Sequence, residues 1–197
     1  MPKGIPLTEQ ELNRRRHQIF NDSVHLFLEQ GFQETSMQEI ATAAGMGKSS
    51  LYDYFKTKNE IIYWVAEDEI YDLTELARAI VNQDLPSAEK IKQVMRAHMR
   101  HLLEQKDFYI QLALEIQRLS LEDLQRLQAK RHDYQDLLCS LIEQAIQEGA
   151  FRPVTPLFAA RVILSLLNPA VFSSRPTGTP EQMMEEAIEI FYRGVTT

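Results

Sequence analysis

Gly47-Lys48-Ser49-Ser50 is the stretch of this 197-residue chain whose side chains could most directly meet an anion. Its first three residues copy the end of a nucleotide-binding phosphate loop. That loop needs a glycine five residues before Gly47, where Thr42 stands, and a preceding strand, which the surrounding pattern does not supply. The alternative is nucleic acid. Gly45-Met46-Gly47 separates two short apolar-patterned segments, and a three-residue turn is the spacing of a helix-turn-helix. In that motif the N-terminal part of the second helix enters the major groove. A lysine and two serines there can reach guanine acceptors, other base edges or phosphate.

Other reactive residue types carry less. Cys139 is the one cysteine, set among Leu137, Leu138 and Leu141, and reads as a small buried hydrophobe. It excludes an internal disulfide and fits a reducing cytoplasm. His98 and His101 stand three apart with no third ligand, and read as a surface pair rather than a metal site. No nucleophile elbow or catalytic carboxylate pair is visible. The expectation is therefore no catalytic residue, no metal and no cofactor.

The elements that position the motif read as helices throughout. Thr8-x-x-Glu11, Ser36-x-x-Glu39 and Thr57-x-x-Glu60 are capping boxes, Thr155-Pro156 and Thr179-Pro180 are N-cap and N1-proline starts, and Ser120 with Asp123 is a further start. Gly31, Gly45, Gly149 and the region of Pro169 and Pro176 are stops. These signals predict an all-α chain of about nine helices, over 9–30, 37–44, 48–55, 58–82, 88–105, 107–118, 121–148, 156–167 and 180–193, with 168–178 as the longest loop. Phe20, Val24, Phe27 and Leu28 form the core stripe of the first helix; Tyr134, Leu138, Leu141, Ile142 and Ala145 form that of the seventh. No apolar run approaches the ~20 residues of a membrane span, and the N-terminus lacks the pattern of a signal peptide.

Net charge is −7, which by itself opposes a nucleic-acid partner. Residues 1–58 are neutral, however, with seven bases (Lys3, Arg14, Arg15, Arg16, Lys48, Lys56, Lys58) and seven acids, so the whole excess lies in 59–197. A neutral head can bind DNA if its bases share one face. Arg14, Arg15 and Arg16 read equally as a solvated helix start or as an arm that touches DNA.

Residues 16–62 resemble the N-terminal DNA-binding domain of the TetR family of bacterial repressors. Phe27, Gly31-Phe32, Thr35-Ser36, Ile40-Ala41, Ala44-Gly45, Gly47, Leu51-Tyr52, Tyr54-Phe55, Lys58 and Glu60 carry the resemblance. It implies a homodimer on a pseudo-palindromic double-stranded operator. It implies that Gly47, Lys48, Ser49, Ser50 and Tyr52 face the bases, that Thr35, Ser36, Tyr54 and Lys58 hold phosphates, and that Leu51 and Phe55 are core. Asp53 departs from the family pattern: an acid there is repelled by phosphate but could accept from cytosine N4.

The resemblance further implies a head over 9–57 and a body over 58–197 that binds a small-molecule effector and dimerises. Trp64, Met95, His98, Met99, Phe108, Tyr109, Tyr134, Leu138 and Phe172 are the candidate effector contacts; each also suits a plain core. Val162, Leu166, Met183, Ala187, Ile190 and Phe191, on the last two helices, are the candidate dimer contacts. Lys130-Arg131-x-x-Tyr134, Gln147-Glu148-Gly149-x-Phe151-Arg152, 159–168 and Arg175-Pro176-x-Gly178 are similar to a TetR branch of fatty-acid and sterol-catabolism repressors that sense acyl-CoA thioesters. Pro169 and Ser173-Ser174 depart from that branch. The expected function is a cytoplasmic, non-enzymatic repressor released from its operator by a small hydrophobic or acyl-CoA-like ligand. The rivals are a TetR-type activator, and a helical small-molecule-binding protein or enzyme whose head only packs.

Overall fold

The structure is a computed structural model and describes residues 8–104, 106–172 and 175–196. Among the described residues it is all helical: α1 (Glu9–Gln30), α2 (Met37–Ala43), α3 (Lys48–Leu51), α4 (Lys58–Val81), α5 (Ser87–Glu104), α6 (Lys106–Ile116), α7 (Leu121–Gln147), α8 (Pro156–Phe172) and α9 (Pro180–Val195). No helix in them is long and apolar enough to cross a membrane.

The start signals act as their chemistry requires. Thr8 and Ser36 each accept the amide of the residue three later, while Glu11 and Glu39 reach back to the cap amide. Thr179 does the same with Gln182. The third expected box is only half made. Thr57 accepts from the Glu60 amide at 3.1 Å, but the Glu60 carboxylate turns to the Lys56 amide instead.

Two helix ends correct the sequence reading. α3 stops at Leu51 rather than 55. The amides of Asp53 and Tyr54 bond three residues back, to Ser50 and Leu51, which tightens the chain into a turn. α8 runs through Pro169 to Phe172, so the first five residues of the loop expected over 168–178 are helix. A proline removes one intrahelical bond, and here the ring lies on an exposed turn late in the helix, where that loss is tolerated. Ser173 and Ser174, which depart from the acyl-CoA-sensing branch, lie outside the described residues.

The chain forms two compact units. The first is the chain through Val65 together with Gln111–Leu119. Its core gathers Ile19, Phe20 and Phe27 of α1, Phe32, Ile40 and Ala41, Leu51 and Phe55, and Ile61 of α4, all buried. The second unit is Ala66–Ile110 with the chain from Ser120 onward. Its core joins Ala77 and Ile80 of α4, Ile91, Met95 and Met99 of α5, Tyr134, Leu138 and Ile142 of α7, Ile163 and Leu167 of α8, and Ile188 and Phe191 of α9. Arg96 clamps Glu185 in a two-pronged pair at 2.7 and 2.8 Å, fixing α5 to α9. The boundary expected at 57/58 coincides with the first residue of α4; the first unit continues along that helix.

Candidate nucleic-acid interface

The turn between α2 and α3 is built by two backbone bonds. The Gly45 amide donates to Thr42 and the Met46 amide to Ala41, the pairing that ends a helix on a left-handed residue. Gly45 takes that conformation, at φ 63°. Ala41 and Ala44 are buried and small, so α2 packs closely where the chain reverses. Gly47 then begins α3 in extended geometry. Gly47, Lys48, Ser49 and Ser50 are all exposed, Tyr52 is half-buried, and Leu51 and Phe55 are buried beneath them. The five residues expected to face bases are thus exposed or half-buried, on the short buttressed α3 and at its two caps. Asp53 is exposed on the following turn.

The four expected phosphate residues divide. Ser36 is exposed at the start of α2, its oxygen accepting from the Glu39 amide at 3.2 Å. Thr35 differs: it is fully buried, its hydroxyl donating to the Gly31 carbonyl at 2.9 Å and accepting from Gln30 at 3.1 Å. Its side chain closes the α1–α2 loop and is not presented to a ligand. The Lys58 ammonium donates to the Phe32 and Gln33 carbonyls at 2.9 and 2.5 Å and lies 5.2 Å from the Phe32 ring centroid. Two of its three donors hold the same loop, and the third remains. Tyr54 is half-buried, and its carbonyl accepts from Arg16. Hydrogen bonds from the Ser36 hydroxyl and amide, with one from Gln30, hold the Glu39 carboxyl below its ordinary range. It stays ionised and occupies one of the amides an anion would use.

The loop has a further anchor. Gln33 donates to the Glu115 carboxylate at 2.7 Å, and Arg118 lies 3.8 Å from the same oxygen. Glu115 is buried and belongs to the first unit through Gln111–Leu119. Nothing in the local sequence around Gln33 signals a partner 82 residues away.

The second unit places the candidate effector residues as follows. Met95, Met99, Tyr134 and Leu138 share its buried core. His98 and His101 do not form a surface pair. His98 Nδ1 meets the Tyr134 hydroxyl at 2.8 Å, and His101 Nε2 meets Glu69 at 2.9 Å. Tyr109, beside Phe108, donates to the same Glu69 oxygen. One carboxylate therefore ties α4, α5 and α6. Burial, and then His101, push His98 down to about 4, so it is neutral near pH 7. The Glu69 hydrogen bond raises His101, with Asp72 and Glu104 adding to it. Burial first, then Glu69, pushes the Tyr109 phenol upward, and burial does the same to Tyr134. Burial and the neighbouring Asp136 and Glu143 raise the half-buried Cys139 thiol.

The family description "Tetracyclin repressor-like, C-terminal domain" matches residues 84–195, and "Bacterial regulatory proteins, tetR family" matches 19–63. The chain belongs to the TetR family. It is a DNA-binding transcriptional regulator rather than an enzyme. Its relatives include the "Fatty acid metabolism regulator protein" of Bacillus subtilis (strain 168), 24% identical over 135 residues that cover 68% of this chain and 70% of that one. The "HTH-type transcriptional repressor KstR2" of Mycobacterium tuberculosis is 24% identical over 190 residues, covering 94% and 95%. Among solved structures, that of AibR in complex with isovaleryl coenzyme A and operator DNA superposes with a TM-score of 0.72 at 26% identity, over 90% of this chain and 98% of AibR.

Three groups of TetR-type expectations need correction. Trp64 packs in the first unit, edge-on to His17 at 4.8 Å and to Phe55 at 6.0 Å, whereas the other candidate effector residues belong to the second. Phe172 is exposed at the end of α8, apart from the buried set. Ala187 and Phe191 are buried, Phe191 only 4% exposed against Phe151, so they build the subunit's own core. Ile190 is 56% exposed, and Val162, Leu166 and Met183 are half-buried. Phe158, which is not among the expected dimer contacts, is 68% exposed. With Val162, Leu166, Pro169 and Phe172 it follows the three-to-four spacing of one face of α8. That periodicity was available, but the apolar pattern of α8 is too broad to say which side looks outward.

Proposed function

We propose that this chain is a cytoplasmic repressor that binds a pseudo-palindromic operator as a homodimer and leaves it when a small hydrophobic or acyl-CoA-like effector binds. The observation that carries the DNA part is the exposed run Gly47 to Ser50 on a helix seated by buried Leu51 and Phe55. In this reading Gly47, Lys48, Ser49, Ser50 and Tyr52 meet base edges from the N-terminal end of α3. Ser36, Tyr54 and the remaining donor of Lys58 meet phosphates, and Thr35 keeps the loop in place. Residues 9–57 act as the head and 58–197 as the body. The α8 face of Phe158, Val162, Leu166 and Phe172, with Ile190 and Met183 of α9, supports dimerisation. The effector residues are Met95, His98, Met99, Phe108, Tyr109, Tyr134 and Leu138, where neutral His98 beside Tyr134 suits an uncharged polar group such as a thioester carbonyl. AibR, whose structure was solved with isovaleryl coenzyme A, supports that ligand class.

Release follows from a population shift. The effector favours a state whose two recognition helices no longer match half-sites about 34–36 Å apart. Moving that equilibrium from 1:99 to 99:1 takes ~5.5 kcal/mol of differential binding, which two sites can share. Fluorescence anisotropy with the protein's own upstream DNA tests both parts. The expected result is affinity that falls linearly with the logarithm of salt and is weakened by one member of an acyl-CoA chain-length series. No salt-sensitive binding to any fragment overturns the DNA part. Binding indifferent to the whole series overturns the effector class alone.

A further inference from the structure

Arg16 stands at the start of the TetR-like region, where the sequence leaves it either solvated or touching DNA. The structure points to a third role. α3 has four helical residues, too few to be stable alone. In the turn that follows α3 the Tyr52 and Tyr54 carbonyls lie beyond the helix, and two cations meet them. Lys56 Nζ donates to the Tyr52 carbonyl, and Arg16 Nη2 donates to the Tyr54 carbonyl at 3.4 Å. The Arg16 guanidinium also lies over the Phe55 ring, 5.5 Å from its centroid. Phe55 is buried and packs edge-on with Trp64, which meets His17, the residue after Arg16. The Arg16 Nε is itself buried and has no hydrogen-bond partner. An arginine held for charge in solvent keeps its donors wet. This one leaves a donor unpaired, and its flat face rests on an aromatic ring.

We propose that Arg16 is a positioning residue for the recognition helix: it sets the angle of α3 by gripping Phe55 and the Tyr54 carbonyl, and does not contact DNA. The inference rests on the reading of Gly47 to Tyr52 as the base-facing surface. A phosphate contact and a positioning contact leave different traces. Removing a phosphate contact weakens operator and random DNA alike and lowers the salt slope by about 0.9. Removing a positioning contact damages only the interaction that needs α3 at the right angle, because base readout depends on geometry and backbone attraction does not.

The experiment compares wild type, Arg16→Gln and Arg16→Lys by anisotropy, on an operator fragment selected with wild-type protein and on random DNA of equal length, over a salt series. Arg16→Gln is expected to lose about tenfold in operator affinity, with random-DNA affinity changed less than about twofold and the slope unchanged. Arg16→Lys keeps the charge but not the flat fork, and is expected to fall between them. A variant that is merely partly unfolded loses active protein on both DNAs equally, leaves their ratio unchanged and overturns the proposal. A slope lowered by about one ion, with full rescue by lysine, also overturns it in favour of a phosphate contact. If wild type shows no salt-sensitive DNA binding, the DNA-binding reading fails and takes this proposal with it.

Discussion

Replacing Gly45 and Gly47 by serine, one at a time, separates two glycines that look alike in sequence. Gly45 has φ 63° and no atom within 4 Å of where a Cβ would stand. Its substitution therefore carries no steric clash, only the left-handed backbone, which disfavours an L-residue by about 1–2 kcal/mol. Gly47 has φ −73°, open to any residue, and its Cβ would meet only Ser49 Oγ at 3.8 Å. It is also the N-cap of α3 and makes no side-chain cap bond. A serine there supplies one, stabilising by a few tenths of a kcal/mol, roughly the advantage of serine over glycine at that position. The same substitution two residues apart should thus act with opposite sign. The chain has one tryptophan, Trp64, and it packs in the first unit against His17 and Phe55. Its fluorescence in a urea titration reports the unfolding of that unit. At a slope of about 1–2 kcal/mol per molar urea, Gly45→Ser should lower the midpoint by roughly 0.5–2 M, and Gly47→Ser should leave it level or slightly raised. Gly45→Asn should recover part of the loss, because asparagine tolerates this conformation. Equal midpoints for the two serine variants would refute the argument from backbone geometry.

Stability should depend on pH through two histidines with opposite signs. His101 is raised by Glu69, so its contribution is complete below its unfolded value of about 6.5 and fades as pH rises through the folded value; thermal melts of His101→Gln and wild type should converge on the alkaline side. His98 is pushed down to about 4, so its neutral form costs stability as pH falls from about 6.5 toward 4, and His98→Asn should flatten that limb of the melting curve. Leu138→Ala empties a fully buried site in the second core and should cost about 2–5 kcal/mol by circular dichroism in urea. Phe158→Glu puts a charge on the exposed α8 face and should yield monomers by light scattering, with the circular-dichroism spectrum unchanged; a stable dimer would remove that face from the interface.

What was legible in the sequence follows from how far each signal reaches. α1 was read to the residue because Thr8, Glu11 and Gly31 act within one turn of its ends. The turn before α3 was legible for the same reason. α8 was cut short because a proline usually stops a helix, and nothing local tells an exposed, tolerated proline from a terminating one. Trp64 reads as an effector contact because an aromatic has the same appearance in either core, and only the structure shows it against His17 and Phe55. His98 and His101 were paired with each other because three-residue spacing is visible, whereas Tyr134 and Glu69 lie 36 and 32 residues away. Thr35 reads as a hydroxyl for phosphate until Gln30 and the Gly31 carbonyl are seen to take it.

The first unit is not a continuous stretch of polypeptide, since Gln111–Leu119 belongs to it as much as α1 does. During synthesis the 50 residues from Ala66 through Glu115 must be added before Gln33 can find the Glu115 carboxylate. At roughly 5–20 residues per second, that leaves the α1–α2 loop lacking an anchor for about 2.5–10 s. A gene cut within α4 would carry the same deficit permanently. Chimaeras that graft this head onto another regulator therefore need the end of α6 transplanted along with it.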